Sequence, residues 1–163
     1  TEARFRRYAY AERIRCGVAD ATSPSNGQTY DLILCDVPCS GTGTLAGNPE
    51  IRHRLKLDEF PRQAARQQAI LKAALRRLAP GGRLVYSTCS LEPEECEQVV
   101  AEVIAGTGIA QIPVEASMQQ LFESGVLRQD VDLASAMRDG ALRTLPGVHP
   151  CDGFFATILK AEK

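Results

Sequence analysis

The chain has 163 residues, 44% of them hydrophobic, which is enough for one sizeable core and too few for two ordinary domains with a linker. Its net charge of -1 excludes a whole-molecule pull toward nucleic acid, so any RNA contact has to come from local basic clusters. No run approaches the roughly eighteen apolar residues of a membrane span, and residues 1–7 lack the apolar core of a signal peptide, so the sequence predicts a cytoplasmic protein without a membrane partner.

In chain order, residues 14–18 and 30–34 are short β-rich runs, each followed by an acid, Asp20 and Asp36. The second is apolar enough to predict a strand buried on both faces. Asp58, Glu59 and Pro61 supply an N-cap, a first-turn acid and an early proline for a helix, and Leu71, Ala74, Leu75 and Leu78 follow at helical spacing. Pro80-Gly81-Gly82 is expected to stop it. Residues 83–87 read as another buried strand. Pro93-Glu94-Glu95 then opens a helix with an apolar face of Val99, Val100, Val103 and Ile104. Residues 109–114 and 153–159 read as strands, separated by two short helices and a loop over 115–150.

This alternation predicts a single α/β domain over residues 1–163, with a parallel sheet and helices on both faces. Right-handed crossovers would set the carboxyl ends of the strands on one edge, where ligands bind in open α/β sheets. Asp36, Cys39 and Cys89 are expected to share that edge. Asp36-Val37-Pro38-Cys39-Ser40-Gly41-Thr42-Gly43 leaves a strand directly, and its proline and glycines specify a tight loop near a ligand. Fifty residues on, Tyr86-Ser87-Thr88-Cys89-Ser90 closes the next strand. A single cysteine at a strand end is usually a small buried hydrophobe; two on the ligand edge, each in a polar loop, point to chemistry.

The six cysteines fit reduced thiols better than a disulfide framework, and Cys35 with Cys39 lacks the second ligand pair of a zinc site. Cys16, Cys35, Cys96 and Cys151 carry no assigned role, and His53 and His149 read as surface or loop residues. Basic residues gather at Arg4, Arg6, Arg7, Arg13 and Arg15, and again at Arg52, His53, Arg54, Lys56, Arg62 and Arg66. Each set reads first as a solvated face, and only the second lies beside the cysteine loops.

The string DVPCSGTG, the helix ending in APGG, LVYSTCSLEPEECE and the C-terminal CDGFF together resemble the Sun/Nop family of RNA 5-methylcytosine methyltransferases. The resemblance runs from about Ile14 to the end. It implies a Rossmann-like fold, S-adenosylmethionine as cofactor and RNA as partner, with ribosomal RNA ahead of transfer RNA. It also implies Cys89 as the nucleophile that adds to C6 of cytosine, Asp36 as the group at N3, and Cys39 as the residue that assists release. Asp20, Asp36 and Pro38 would line the cofactor, and a helix start after Cys89 would favour its thiolate. Asp152-Gly153-Phe154-Phe155 matches a family signature near the site, although aromatics at a strand start are more often core.

Relative to that family, the first strands, the glycine-rich cofactor loop and its lysine have no counterpart, and residues 1–9 read as the helix after the second strand. The sequence therefore predicts an N-terminally truncated sheet, completed by another segment of the same protein or by a second chain, and weak or absent cofactor binding alone. Two rival readings are methylation of an exocyclic amine and a non-catalytic RNA-binding or thiol-redox module. An amine-modifying loop has no cysteine where Cys39 stands, and a redox pair would be spaced Cys-X-X-Cys.

Overall fold

The computed structural model describes residues 11–23, 27–128, 130 and 132–161. The helix expected over residues 1–9, with Arg4, Arg6 and Arg7 of the first basic cluster, lies outside the described residues.

Strand β1 (Tyr30–Asp36) is followed by a short helix α1 (Ile51–Arg54), a long helix α2 (Glu59–Leu75) and strand β2 (Leu78–Thr88). Next come α3 (Glu97–Ile104), β3 (Ile109–Ile112), α4 (Glu115–Glu123), the strands β4 (Met137–Arg138) and β5 (Ala141–Thr144), and β6 (Phe154–Ala161). Among the described residues these strands form one sheet in the order β1-β2-β6-β5-β4, with β3 and β5 end to end along the outer side of β6. The α/β architecture agrees with the sequence. Its parallel character is confined to β1 and β2, because β6 inserts antiparallel beside β2 and sets every later pairing antiparallel.

The core explains why these segments hold. Helix α2 buries Ala64, Gln67, Ile70, Leu71 and Ala73 on one stripe, and packs on α3, β1 and β2. Helix α3 answers with Val99, Val100 and Val103. Between them lie Leu84, Tyr86, Phe155 and Leu159, all without meaningful exposure, and the Tyr86 ring meets Phe155 edge-on at 6.4 Å. Phe155 is therefore core, and the Arg143 guanidinium lies over its ring at 5.3 Å from the centroid.

Several local expectations are corrected. Residues 14–18 form no strand and are exposed, since no described segment lies alongside to accept their backbone hydrogen bonds. Strand β1 is not buried on both faces: Leu32 and Leu34 are 67% and 69% exposed, while Ile33 and Cys35 turn toward α2. Among the described residues, one neighbouring strand and one covering helix account for that asymmetry. Asp58 occupies the N-cap position without a capping bond.

Helix α2 ends at Leu75, ahead of Pro80-Gly81-Gly82, because the Arg77 carbonyl already accepts the Tyr30 amide at 2.8 Å. Those three residues instead form a bulge within β2, where the pairing jumps from Tyr30–Leu78 to Leu32–Arg83. Over 115–150, among the described residues, only the first expected helix appears. The second is replaced by the β4–β5 hairpin, whose two-residue turn is Asp139-Gly140, with φ of 52° and 74°. An Asp-Gly pair is the usual signal for such a turn, and here it stands between Arg138 and Ala141. No helix among the described residues is long and apolar enough to cross a membrane.

Candidate active site

Asp36 and Ser87 are register partners at the carboxyl ends of two parallel strands, so both chains leave the sheet at the same level. The Ser87 hydroxyl donates to Asp36 Oδ1 at 2.8 Å, and the Val37 amide donates to the Ser87 carbonyl at 3.0 Å. Three residues past Asp36 and two past Ser87, the loops bring Cys39 Sγ and Cys89 Sγ to 3.2 Å, both half-buried and both free thiols. The convergence expected of residues fifty positions apart is thus present.

A third loop locks the other two. The Gly43 amide donates to the Cys89 carbonyl at 2.9 Å, and the Gly153 amide donates to the Gly43 carbonyl at 2.8 Å. A Cβ on Gly43 would lie 2.2 Å from the Gly153 carbonyl oxygen, and one on Gly153 would lie 2.8 Å from Gly43 Cα. Only glycines allow three backbones this close. The CDGFF signature therefore acts at the site through Gly153.

The sulfurs line a cavity of about 630 Å³ whose wall also includes Ser40, Arg54, Lys56 and Gln63. Arg54 and Lys56 bring the second basic cluster to the rim; Arg52, His53, Arg62 and Arg66 are exposed nearby on α1 and α2. Burial pushes the Cys89 thiol up to about 12, followed by the hydrogen bond and charge of Cys39, with the Asp36 carboxylate adding to the effect. This reverses the expectation of a helix-stabilised thiolate. The chain after Cys89 enters a 3-10 turn at Pro93–Glu95, and α3 begins only at Glu97.

Of the residues expected to line a cofactor, Asp36 and Pro38 are exposed at the end of β1. Asp20 is not brought to the cysteines by any bond. Its carboxylate takes the Thr22 amide at 2.9 Å and the Thr22 hydroxyl at 2.8 Å, which hold it below the usual carboxylate range. This closed turn is the ordinary local role of an aspartate. His149 staples its own turn, Nδ1 accepting the Leu145 amide at 2.9 Å. Among the described residues no cluster of three or more metal-ligating side chains occurs.

Sequence reasoning missed Glu95, which reads as one of two first-turn acids. It is fully buried. Its carboxylate accepts the Ser40 amide at 3.0 Å, the Ser90 hydroxyl at 2.6 Å, Gln67 Nε2 at 3.0 Å and, at short range, the Ser40 hydroxyl. Its only sequence trace is the serine that follows each site cysteine.

The family profile described as 16S rRNA methyltransferase RsmB/F matches residues 5–160. The chain is 33% identical over 145 residues to ribosomal RNA small subunit methyltransferase B of Xanthomonas campestris pv. campestris, covering 88% of this chain and 30% of that protein. It is 32% identical over 155 residues to ribosomal RNA small subunit methyltransferase F of Vibrio cholerae, covering 90% of this chain and 31% of that one. The chain thus spans under a third of the length of these curated relatives. Among solved structures, it superposes with a TM-score of 0.70 on NSun6 from Pyrococcus horikoshii with SFG, at 26% identity over 100% of this chain and 40% of that one. A methyltransferase homologue from the same organism gives 0.59 at 29% identity, over 82% of this chain and 40% of its own. With the profile match spanning every residue that builds the two-cysteine site, the chain belongs to the 16S rRNA methyltransferase RsmB/F family.

Proposed function

We propose that this chain carries the base-modifying half of an RNA cytosine-C5 methyltransferase, in which Cys89 forms a covalent bond to C6 of the target cytosine. The single observation that supports this most is the 3.2 Å approach of two free thiols on the wall of an open cavity at the carboxyl ends of parallel strands. C5 of cytosine is a poor nucleophile. Addition of a thiolate to C6 moves the ring electrons to C5 and N3, and a positioned carboxyl group offsets the charge at N3. Asp36 takes that role. After C5 has gained its methyl group, its proton must leave so that the C5–C6 double bond can re-form and the C6–S bond can break. Cys39, beside the Cys89 sulfur, assists that release.

When bound, S-adenosylmethionine supplies an electrophilic methyl group carried on a sulfonium. Asp36 and Pro38, exposed at the end of β1, fit a hold on that donor. Asp20 does not contribute while its carboxylate is closed on Thr22. The 163 residues alone are therefore expected to bind the donor weakly, and calorimetric titration giving micromolar or tighter binding to them contradicts this. With no thiolate favoured at rest, the Cys89 proton has to depart to water as substrate enters the open cavity.

The RNA reading rests on the cavity rim, where Arg54 and Lys56 flank the sulfurs and suit a phosphate backbone. Ribosomal RNA is the proposed substrate because the relatives are small-subunit ribosomal RNA methyltransferases. Bisulfite sequencing of cellular RNA from a strain lacking the full gene tests it. One ribosomal 5-methylcytosine should vanish and return with the intact gene, but not with Cys89→Ala; a lost transfer RNA site, or none, overturns the substrate assignment.

A further inference from the structure

Glu95 touches neither sulfur, yet every group its carboxylate binds belongs to, or is tied to, the residues flanking the two site cysteines. Ser40 follows Cys39 and gives both its amide and its hydroxyl; Ser90 follows Cys89 and gives its hydroxyl, and the two serine hydroxyls lie 3.2 Å apart. Gln67 from α2 donates at 3.0 Å both to Glu95 and to the Pro38 carbonyl, which precedes Cys39. The Glu95 backbone is itself anchored, since its carbonyl accepts the Tyr86 hydroxyl at 2.8 Å from β2. A buried carboxylate without partners is strongly unfavourable, so donors on two separate loops are held to it as firmly as it is held to them.

The chemistry of the partners explains why an acceptor is needed at this position. The two carboxylate oxygens act as acceptors toward four donors from three segments. One of them, the Ser40 amide, cannot reverse its role, whereas the two hydroxyls can turn and accept. A glutamine at 95 therefore keeps the amide and Gln67 bonds through its carbonyl oxygen, while its NH2 faces hydroxyls able to rotate. An alanine orphans the Ser40 amide and removes the acceptor that the two serine hydroxyls and Gln67 share. From this we infer that Glu95 is a positioning residue, setting the Cys39–Cys89 sulfur separation on which the proposed reaction depends.

The inference rests on the proposed function for its meaning, so the test reads sulfur geometry and turnover separately in the full-length protein. Phenylarsine oxide condenses with two neighbouring thiols, forming one As–S bond to each and releasing water. Wild type should capture it in a stoichiometric adduct that Cys39→Ser and Cys89→Ser abolish. Glu95→Ala should lose that capture and lower kcat for methyl transfer by roughly 10²-fold, as a misplacement of about 1 Å would, with KM for RNA within twofold. Glu95→Gln should restore capture and most of kcat. A Glu95→Ala protein that folds, captures the arsenical and turns over within twofold of wild type overturns the inference. If Glu95→Ala does not fold, Ser90→Ala carries the test: reduced capture and kcat support it, and wild-type values for both defeat it. Intact capture without methyl transfer by wild type sinks the functional reading instead, while the capture series still decides the role of Glu95.

Discussion

Cys89 rests as a thiol, and the neighbour that keeps it so after burial is Cys39, by hydrogen bond and by charge. Alkylation of Cys89 by iodoacetamide should therefore be slow at neutral pH and rise about tenfold per pH unit, since only the thiolate reacts. Cys39→Ala removes two of the influences that raise the thiol, so its Cys89 should alkylate faster at the same pH; an unchanged or slower rate, followed by mass spectrometry, counts against this account. Gly43 and Gly153 are the complementary case, in which absence of a side chain is the requirement. Gly43→Ala drives a methyl into the Gly153 carbonyl, and should cost about 2–3 kcal/mol by overpacking, seen as a lower denaturant midpoint with an unchanged slope.

At the scale of elements, the β4–β5 hairpin depends on one non-glycine residue in the left-handed region, Asp139 at φ 52°. Asp139→Val should destabilise by about 1–2 kcal/mol, whereas Asp139→Asn should be nearly neutral; equal effects of the two in chemical denaturation contradict the turn assignment. The hairpin was foreseeable from Arg138-Asp139-Gly140-Ala141, and the expectation of a helix there failed because turn chemistry outranks weak helical spacing. Strand β1, helix α2, strand β2 and helix α3 were legible because each carries a long apolar pattern with punctuation at its ends. The bulge at Pro80-Gly81-Gly82 was not, since proline and glycine mark a break without saying whether it ends a helix or kinks a strand. At the site, Cys39, Cys89 and Asp36 were readable from paired motifs at two strand ends. Glu95 was hidden because its partners are loop amides and hydroxyls that converge only in three dimensions.

For the whole molecule, two features set its behaviour in solution. Burial raises the thiols of Cys35 to about 11 and of Cys96 to about 12, and Cys89 lies at about 12, against an ordinary value of 9.0. A folded value above the unfolded one means the stabilisation is complete below about pH 9 and is lost as pH rises toward 11–12. Thermal melts should be level up to about pH 8.5 and fall steadily from pH 9 to 11, less steeply in Cys89→Ser; a flat profile refutes this. The second feature is the edge at β1, where Leu32 and Leu34 are exposed and, among the described residues, β2 is the only strand paired with it. The 163 residues alone should self-associate with rising concentration in sedimentation, and Leu34→Lys should suppress it.

Covalent capture on RNA carrying 5-fluorocytosine tests the central claim most directly, because fluorine at C5 replaces the proton whose loss frees the enzyme. With the full-length protein and S-adenosylmethionine, a denaturation-resistant protein–RNA adduct should form in wild type and in Cys39→Ala, with the RNA attached at Cys89, and should be absent in Cys89→Ala. An adduct that survives Cys89→Ala, or that maps to Cys39, contradicts the assignment of Cys89 as the nucleophile.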